Sequence, residues 1–231
     1  MTLCIGALAQ VPSPLTPCIV LAFDYKVAND AWGSEGEYKF RVLSDTMVAL
    51  FAGSPGQAKQ LTMMYEAHLK TITLSGVTAI QQLAKPLTDF KRLRADAYVQ
   101  RRLAFSYQEL LDRGDHWIGS AMKERYLKAI EDHDPNVQLI LAGFIGQEAV
   151  LFQVWPDIEQ FTNFTLIGTG ATTAEPALHA RAQSFNTNLS TALYSVYEAK
   201  KIGESSPYVG QKTRMYVLKP PEMNATRMRV E

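Results

Sequence analysis

The chain has 231 residues, 47% hydrophobic and 20% charged, which suits one globular domain over residues 1–231 with a substantial core. Lys plus Arg equals Asp plus Glu at 23 each, so no charge excess points to nucleic acid, an acidic substrate or a membrane surface. Two cysteines, Cys4 and Cys18, exclude a disulfide framework and a cysteine-based metal cluster, and a reduced, cytoplasmic setting is expected.

The N-terminal apolar stretch does not read as a signal peptide: it lacks a basic region, and Pro12, Pro14 and Pro17 interrupt it. No run approaches the ~18 apolar residues of a membrane span. Leu3 to Leu8 and Cys18 to Phe23 read as strands, with Val11 to Pro17 a rigid turn between them, since proline sets φ and removes a ladder donor. Tyr38 to Leu43 and Met47 to Ala52 are the next two, split by a turn at Ser44-Asp45. The runs CIVLAF, MVALFA and VQLILAGF are apolar at every position. A strand wet on one face alternates, so these predict strands covered on both faces.

Helices are predicted for the middle of the chain. One starts at Ser54, with Pro55 at the first helical position. Ser75 opens a second, which Pro86 should kink. A charged helical stretch runs on through RLRADAYVQRRLAF to ELLDRG, and AMKERYLKAIED forms another. Ala149 to Trp155 is the second arm of a hairpin whose first is Val137 to Phe144. Thr172 to Ser184 and Leu189 to Ile202 are helical, Thr213 to Leu218 is a last strand, and residues 220–231 form a polar tail expected to be loose. Strands covered on both faces, in this order, pack most economically as an α+β, four-layer αββα sandwich of two antiparallel sheets.

Thr2 follows Met1 directly. Removal of Met1 would leave a residue carrying both a hydroxyl nucleophile and a free α-amine able to act as its general base. The amine has a reference pKa of about 7.7–8.0, which a nearby lysine ammonium depresses further. A carboxylate is needed to hold that lysine, and backbone N–H groups at a glycine turn would stabilise the oxyanion. Asp24 at the end of the second strand, Lys39 in the third and Gly53 at the end of the fourth occupy positions suited to those roles.

The segments TLCIGAL, IVLAFDYKVA and KFRVLSDTMVALFAG, followed by LILAGF, FTLIGTGA and ALYSVYEAKKIGESSPYVGQ, resemble in order the proteasome β-type subunits and bacterial proteasome-like peptidases. These are threonine N-terminal-nucleophile (Ntn) hydrolases. The resemblance implies a nucleophile at Thr2, the carboxylate at Asp24, the lysine at Lys39, the oxyanion donor at Gly53, and support of the amine by Thr169 in GTG. It also implies peptide or protein substrates, no cofactor, a homo-oligomeric ring or related stacked assembly, and an unidentified ATPase or accessory partner. Two departures stand out. Ser206 and Val209 occupy the loop positions where active family members carry an aspartate and a serine, and residues 101–135 form a helical insertion. A catalytically inactive scaffold or binding protein of the same fold, and an Ntn amidase acting on small amides, are the alternative readings.

The remaining chemistry-bearing residues read as structural. His68, His116, His133 and His179 have no spaced partner of metal-binding type. GTGA lacks the spacing of a phosphate loop and reads as a strand-to-helix turn near the Thr2 amine. Cys4, two residues from Thr2, reads as a small core residue. The stretch from Lys91 to Arg102 mixes acids with its bases and reads as a solvated or interface face of a helix.

Overall fold

A computed structural model describes residues 2–12, 15–24, 39–132, 136–207, 209–220 and, for the backbone, 226–230. They form a mixed α+β structure with two five-stranded antiparallel sheets and six helices. In chain order these are β1 (Cys4–Pro12), β2 (Leu15–Asp24), β3 (Phe40–Val42), β4 (Met47–Gly53), α1 (Pro55–Leu69), α2 (Ala79–Leu103), α3 (Tyr107–Ile118) and α4 (Ser120–Glu131). There follow β5 (Val137–Ile145), β6 (Glu148–Val154), β7 (Ile158–Phe161), β8 (Phe164–Ile167), α5 (Ala171–Ala180), α6 (Leu189–Gly203), β9 (Thr213–Leu218) and β10 (Thr226–Val230). The first sheet has the order β10-β9-β2-β1-β8 and the second β3-β4-β5-β6-β7.

Period-two alternation explains the continuous apolar runs. In β2, Ile19, Leu21 and Phe23 face Val48, Leu50, Ile140 and Leu151 of the second sheet, forming a cluster shared by both sheets. The intervening Cys18, Val20 and Ala22 face Leu178 of α5 and Ala192, Val196 and Ala199 of α6. Met47 and Ala49 of β4, with Leu139 and Leu141 of β5, turn the other way onto Leu61 and Tyr65 of α1 and Leu83, Leu87 and Phe90 of α2. Each sheet is thus covered by its twin on one face and by helices on the other, the condition that removes the need for a polar stripe. The same alternation puts Cys4 between the sheets and Cys18 on the helix side, so the two free thiols lie on opposite faces.

Several sequence expectations shift. β1 and β2 pair from Cys4↔Phe23 to Pro12↔Leu15, so the ladder runs into the proline-rich stretch expected to be a turn. An antiparallel ladder bonds only alternate facing pairs, which leaves places for a residue without an N–H. α2 begins at Ala79, four residues after Ser75, because Ser75 to Thr78 form a turn in which the Thr78 N–H donates to the Ser75 carbonyl. α2 continues through Pro86 and stops at Ala104, which takes the left-handed conformation at φ 58°. The expected run-on is therefore two helices, α3 opening on a reciprocal Ser106–Glu109 capping box. Two short strands, β7 and β8, follow β6. The tail expected to be loose contributes β10, whose Thr226–Val230 pair with Val217 to Thr213 of β9. Expectations for Tyr38 and His133 lie outside the described residues.

Candidate functional site

Strand register brings the start of the chain against the end of β2. Continuing the pairing Cys4↔Phe23 by one step puts Leu3 opposite Asp24, and the Asp24 N–H donates to the Leu3 carbonyl at 3.3 Å. The Asp24 side chain is fully buried. Its Oδ1 accepts from the Thr2 hydroxyl at 2.5 Å, the Lys39 ammonium at 2.7 Å and the Leu3 N–H at 3.1 Å. Its Oδ2 accepts from the Gly210 N–H at 2.9 Å. Four donors, one of them charged, replace the water this carboxylate gave up.

Lys39 reaches Asp24 from the other sheet. It lies one residue before β3, tied by its carbonyl to the Phe51 N–H of β4 at 3.2 Å. Phe23 of β2, Phe40 of β3 and Tyr216 of β9 stack at this edge, Phe40 and Tyr216 with centroids 4.6 Å apart. Those rings hold β3 over the end of β2, so the adjacent Lys39 can cross between sheets. Its ammonium and the Thr2 hydroxyl are separated by no more than the sum of their distances to the shared Asp24 oxygen. Thr2 is 3% and Lys39 7% exposed.

The turn after β8 closes on Thr2. Gly168 has φ +93°, and a Cβ on it would lie 2.2 Å from the Thr2 carbonyl oxygen; only glycine fits there. The Gly170 N–H donates to that same carbonyl at 3.3 Å. Gln138 of β5 accepts the Gly168 N–H at 3.0 Å and so ties the turn to the second sheet. Gly53 stands at the end of β4, opposite Val137. With φ +98° and Asn136 O 1.9 Å from the position of a Cβ, it too must be glycine. Thr2, Asp24 and Lys39 are therefore joined directly. Gly53 ends the strand beside Gln138's own, but among the described residues no hydrogen bond links it to Thr2. Thr169 is exposed and its hydroxyl makes no bond to Thr2; the two glycines flanking it make the contacts.

Behind Asp24 lies a lysine that sequence reasoning passes over. Lys200 of α6 is fully buried and donates to the Gly210 carbonyl at 2.9 Å and to Glu204 at 3.0 Å. It thereby fastens the residue whose N–H reaches Asp24. Burial pulls the Lys200 ammonium below the usual lysine range, against the opposing pull of Glu204 and Asp24. Burial alone would raise the Glu204 carboxyl, but hydrogen bonds from Lys201 and Lys200 outweigh it and leave the group below its ordinary value. The available signal was a lysine four residues after Val196, on the apolar row of α6. Val209 is an apolar residue in the loop after α6. It is buried with Leu3 and would meet any side chain added at Gly170. The Cys4 thiol is pushed up chiefly by burial and points its Sγ at the Phe51 carbonyl, 3.4 Å away, as a structural residue does.

Among the described residues no group of His, Cys, Asp and Glu is arranged to hold a metal ion, and no helix is long and apolar enough to cross a membrane. No known family model matches this chain, and no curated protein is similar enough in sequence to count as a relative.

Proposed function

We propose that this chain is a threonine-type N-terminal-nucleophile hydrolase of the proteasome-like, four-layer αββα kind, cleaving peptide or other amide bonds once Met1 is removed. The observation that carries the reading is one buried carboxylate oxygen, Asp24 Oδ1, accepting from the Thr2 hydroxyl and the Lys39 ammonium together. A hydroxyl three bonds from a would-be terminal amine, beside a lysine paired with a buried carboxylate, is the arrangement this chemistry requires.

In the proposed reaction the new α-amine takes the Thr2 hydroxyl proton while Oγ bonds to the substrate carbonyl carbon. Lys39, a like charge nearby, keeps that amine from holding a proton at neutral pH. Backbone N–H groups at the glycine turns, Gly53 among them, are assigned the oxyanion. The tetrahedral species expels the amine leaving group, which takes the proton from the α-amine. Water, deprotonated by the same amine, then cleaves the threonine ester and restores the hydroxyl. Peptide or protein substrates, a homo-oligomeric ring or stacked assembly, and a cytoplasmic location are part of the proposal.

Two observations favour the alternative of an inactive scaffold of this fold. The Thr2 hydroxyl is buried and already engaged, and Val209 gives the neighbouring loop an apolar side chain where an active site of this kind uses a polar one. A peptide epoxyketone separates the two. Its ketone captures the hydroxyl and its epoxide the amine, so it labels a terminal threonine only when both are free. Intact mass should show loss of Met1 and one adduct per chain, absent from Thr2→Ala. Quantitative retention of Met1, or no adduct on a chain that has lost it, ends the enzyme reading.

A further inference from the structure

Two half-buried glutamines of the second sheet, Gln138 of β5 and Gln153 of β6, turn into the space between the sheets. Leu139 and Phe152 pack on the helix side, whereas Ile140 and Leu151 belong to the cluster that the two sheets share. Gln138 lies two residues from Ile140, and Gln153 two from Leu151, so each shares that inner face. Both reach across to β8 of the first sheet. Gln153 Oε1 accepts from the Thr165 hydroxyl at 2.8 Å, within the strand. Gln138 Oε1 accepts from the Gly168 N–H at 3.0 Å, one residue past the strand's end. A backbone N–H can only donate, so this bond fixes which end of the Gln138 amide faces the turn.

The two bonds differ in what they hold. Thr165 stands opposite Gly6 inside the β1–β8 ladder, which secures it without help. Gly168 lies beyond the last pair of that ladder, Cys4↔Ile167. Its turn nevertheless supplies the backbone contacts to Thr2: Gly168 packs on the Thr2 carbonyl and Cγ2, and the Gly170 N–H donates to the same carbonyl. The loop after α6 adds the apolar Val209, packed with Leu3 and against Gly170. The start of β5 also braces the other glycine turn. The carbonyl of Asn136, two residues before Gln138, accepts the Ser54 N–H at 2.8 Å, directly after Gly53.

We infer that Gln138 is a positioning residue for the Thr2 centre. It holds the Gly168–Gly170 turn against the Thr2 carbonyl and so sets the direction in which Thr2 presents its hydroxyl and, once Met1 is gone, its α-amine. Asp24 fixes the hydroxyl end of Thr2; the turn fixes the backbone end, and Gln138 fixes the turn. Because Gln138 and Asn136 stand two residues apart on one strand, β5 also sets the spacing between the turn assigned the oxyanion and the turn that grips the nucleophile. The catalytic consequence rests on the hydrolase reading; the grip on the turn does not.

The test compares the full chain with Gln138→Met, Gln138→Glu and Gln153→Met. Methionine keeps the length of glutamine and removes the strong acceptor, while glutamate keeps an acceptor. Two quantities are read: hydrogen exchange of the Gly168 amide by NMR, and the rate at which a peptide epoxyketone labels Thr2. Gln138→Met should speed Gly168 exchange about tenfold or more and slow labelling about tenfold or more, and Gln138→Glu should restore the protection of Gly168. Gln153→Met also removes one bond from β8 to the second sheet, so a merely structural role would make the two methionine variants alike. Gln153→Met should instead label at the wild-type rate. Gly168 exchange unchanged in Gln138→Met, or labelling slowed equally by both methionine variants, overturns the assignment. A wild-type chain that has lost Met1 and takes no label ends the hydrolase reading, and the exchange comparison then decides by itself whether Gln138 holds the turn.

Discussion

Lys39→Met is the perturbation that most directly probes the buried centre. The ion pair it breaks is 2.7 Å long, between side chains 8% and 0% exposed. Surface pairs are worth 0–1 kcal/mol, whereas stripping one partner from a buried pair costs about 3–5 kcal/mol, because the other charge stays buried alone. Asp24 would retain three donors, from Thr2, Leu3 and Gly210, so the lower end, about 3 kcal/mol, is expected. For a chain of this length that is roughly 6–12 °C in Tm. Asp24→Asn should cost about as much, since it leaves the lysine facing a neutral amide. Asp24→Asn/Lys39→Met carries no unpaired charge, so its loss should fall short of the sum of the single losses by about 2 kcal/mol. Urea denaturation of wild type, both singles and the double measures this coupling. Single-variant losses below about 1 kcal/mol, or additivity within about 0.5 kcal/mol, would refute the claim that this pair is a buried, mutually dependent unit.

Thr2→Ala removes one hydroxyl donor and should cost only about 0.5–1.5 kcal/mol while abolishing turnover, checked by melting and by peptide hydrolysis; a large loss of folding instead would assign Thr2 a structural role. Gly168→Ala places a methyl 2.2 Å from the Thr2 carbonyl at a φ of +93°, so it should destabilise by more than about 1 kcal/mol and disturb labelling of Thr2 in whatever fraction folds. The folded-state pKa of Lys200 lies below its unfolded value. Between the two the unfolded chain binds more protons, so Lys200 makes stability rise with pH through that alkaline window. Lys200→Met should lack that rise, and parallel urea curves for the two proteins from pH 8 to 10.5 would contradict the assignment. Burial pushes the Cys18 thiol up to about 11 and Cys4 further, so neither should react with a thiol disulfide reagent at pH 8 until the protein unfolds, as absorbance against denaturant would show.

The Lys200 result bears on how the centre is built. Asp24 is held on one side by Lys39 and on the other by a glycine N–H that Lys200 anchors through the neighbouring carbonyl. Two lysines from distant parts of the chain thus act on one carboxylate, one by direct charge and one by fixing backbone. Loss of Lys200 should therefore loosen Gly210 as well as remove a charge.

Local pattern was enough for the strands that make the core. Unbroken apolar runs such as CIVLAF required cover on both faces, and the structure places sheet on one side and helix on the other. The start of α1 at Pro55 and the span of β9 were legible for the same reason: proline's fixed φ and strand alternation act within a few residues, although the Ser54 side chain expected to cap the helix makes no such bond. The direct joining of Thr2, Asp24 and Lys39 was foreseen only through the order of motifs, because spacing along the chain says nothing about distance between sheets. Tertiary structure alone settled what surrounds them. Lys200 looked like one more charge on a helix until α6 packed it inward, and the Gly168 turn became a clamp only when β8 paired with β1. Short strands such as β7 and β10 carry too little apolar pattern to announce themselves; a neighbour's unpaired edge specifies them. Sequence therefore governs what each segment buries, while the partners that satisfy a buried charge are decided by the register and layering of the assembled sheets.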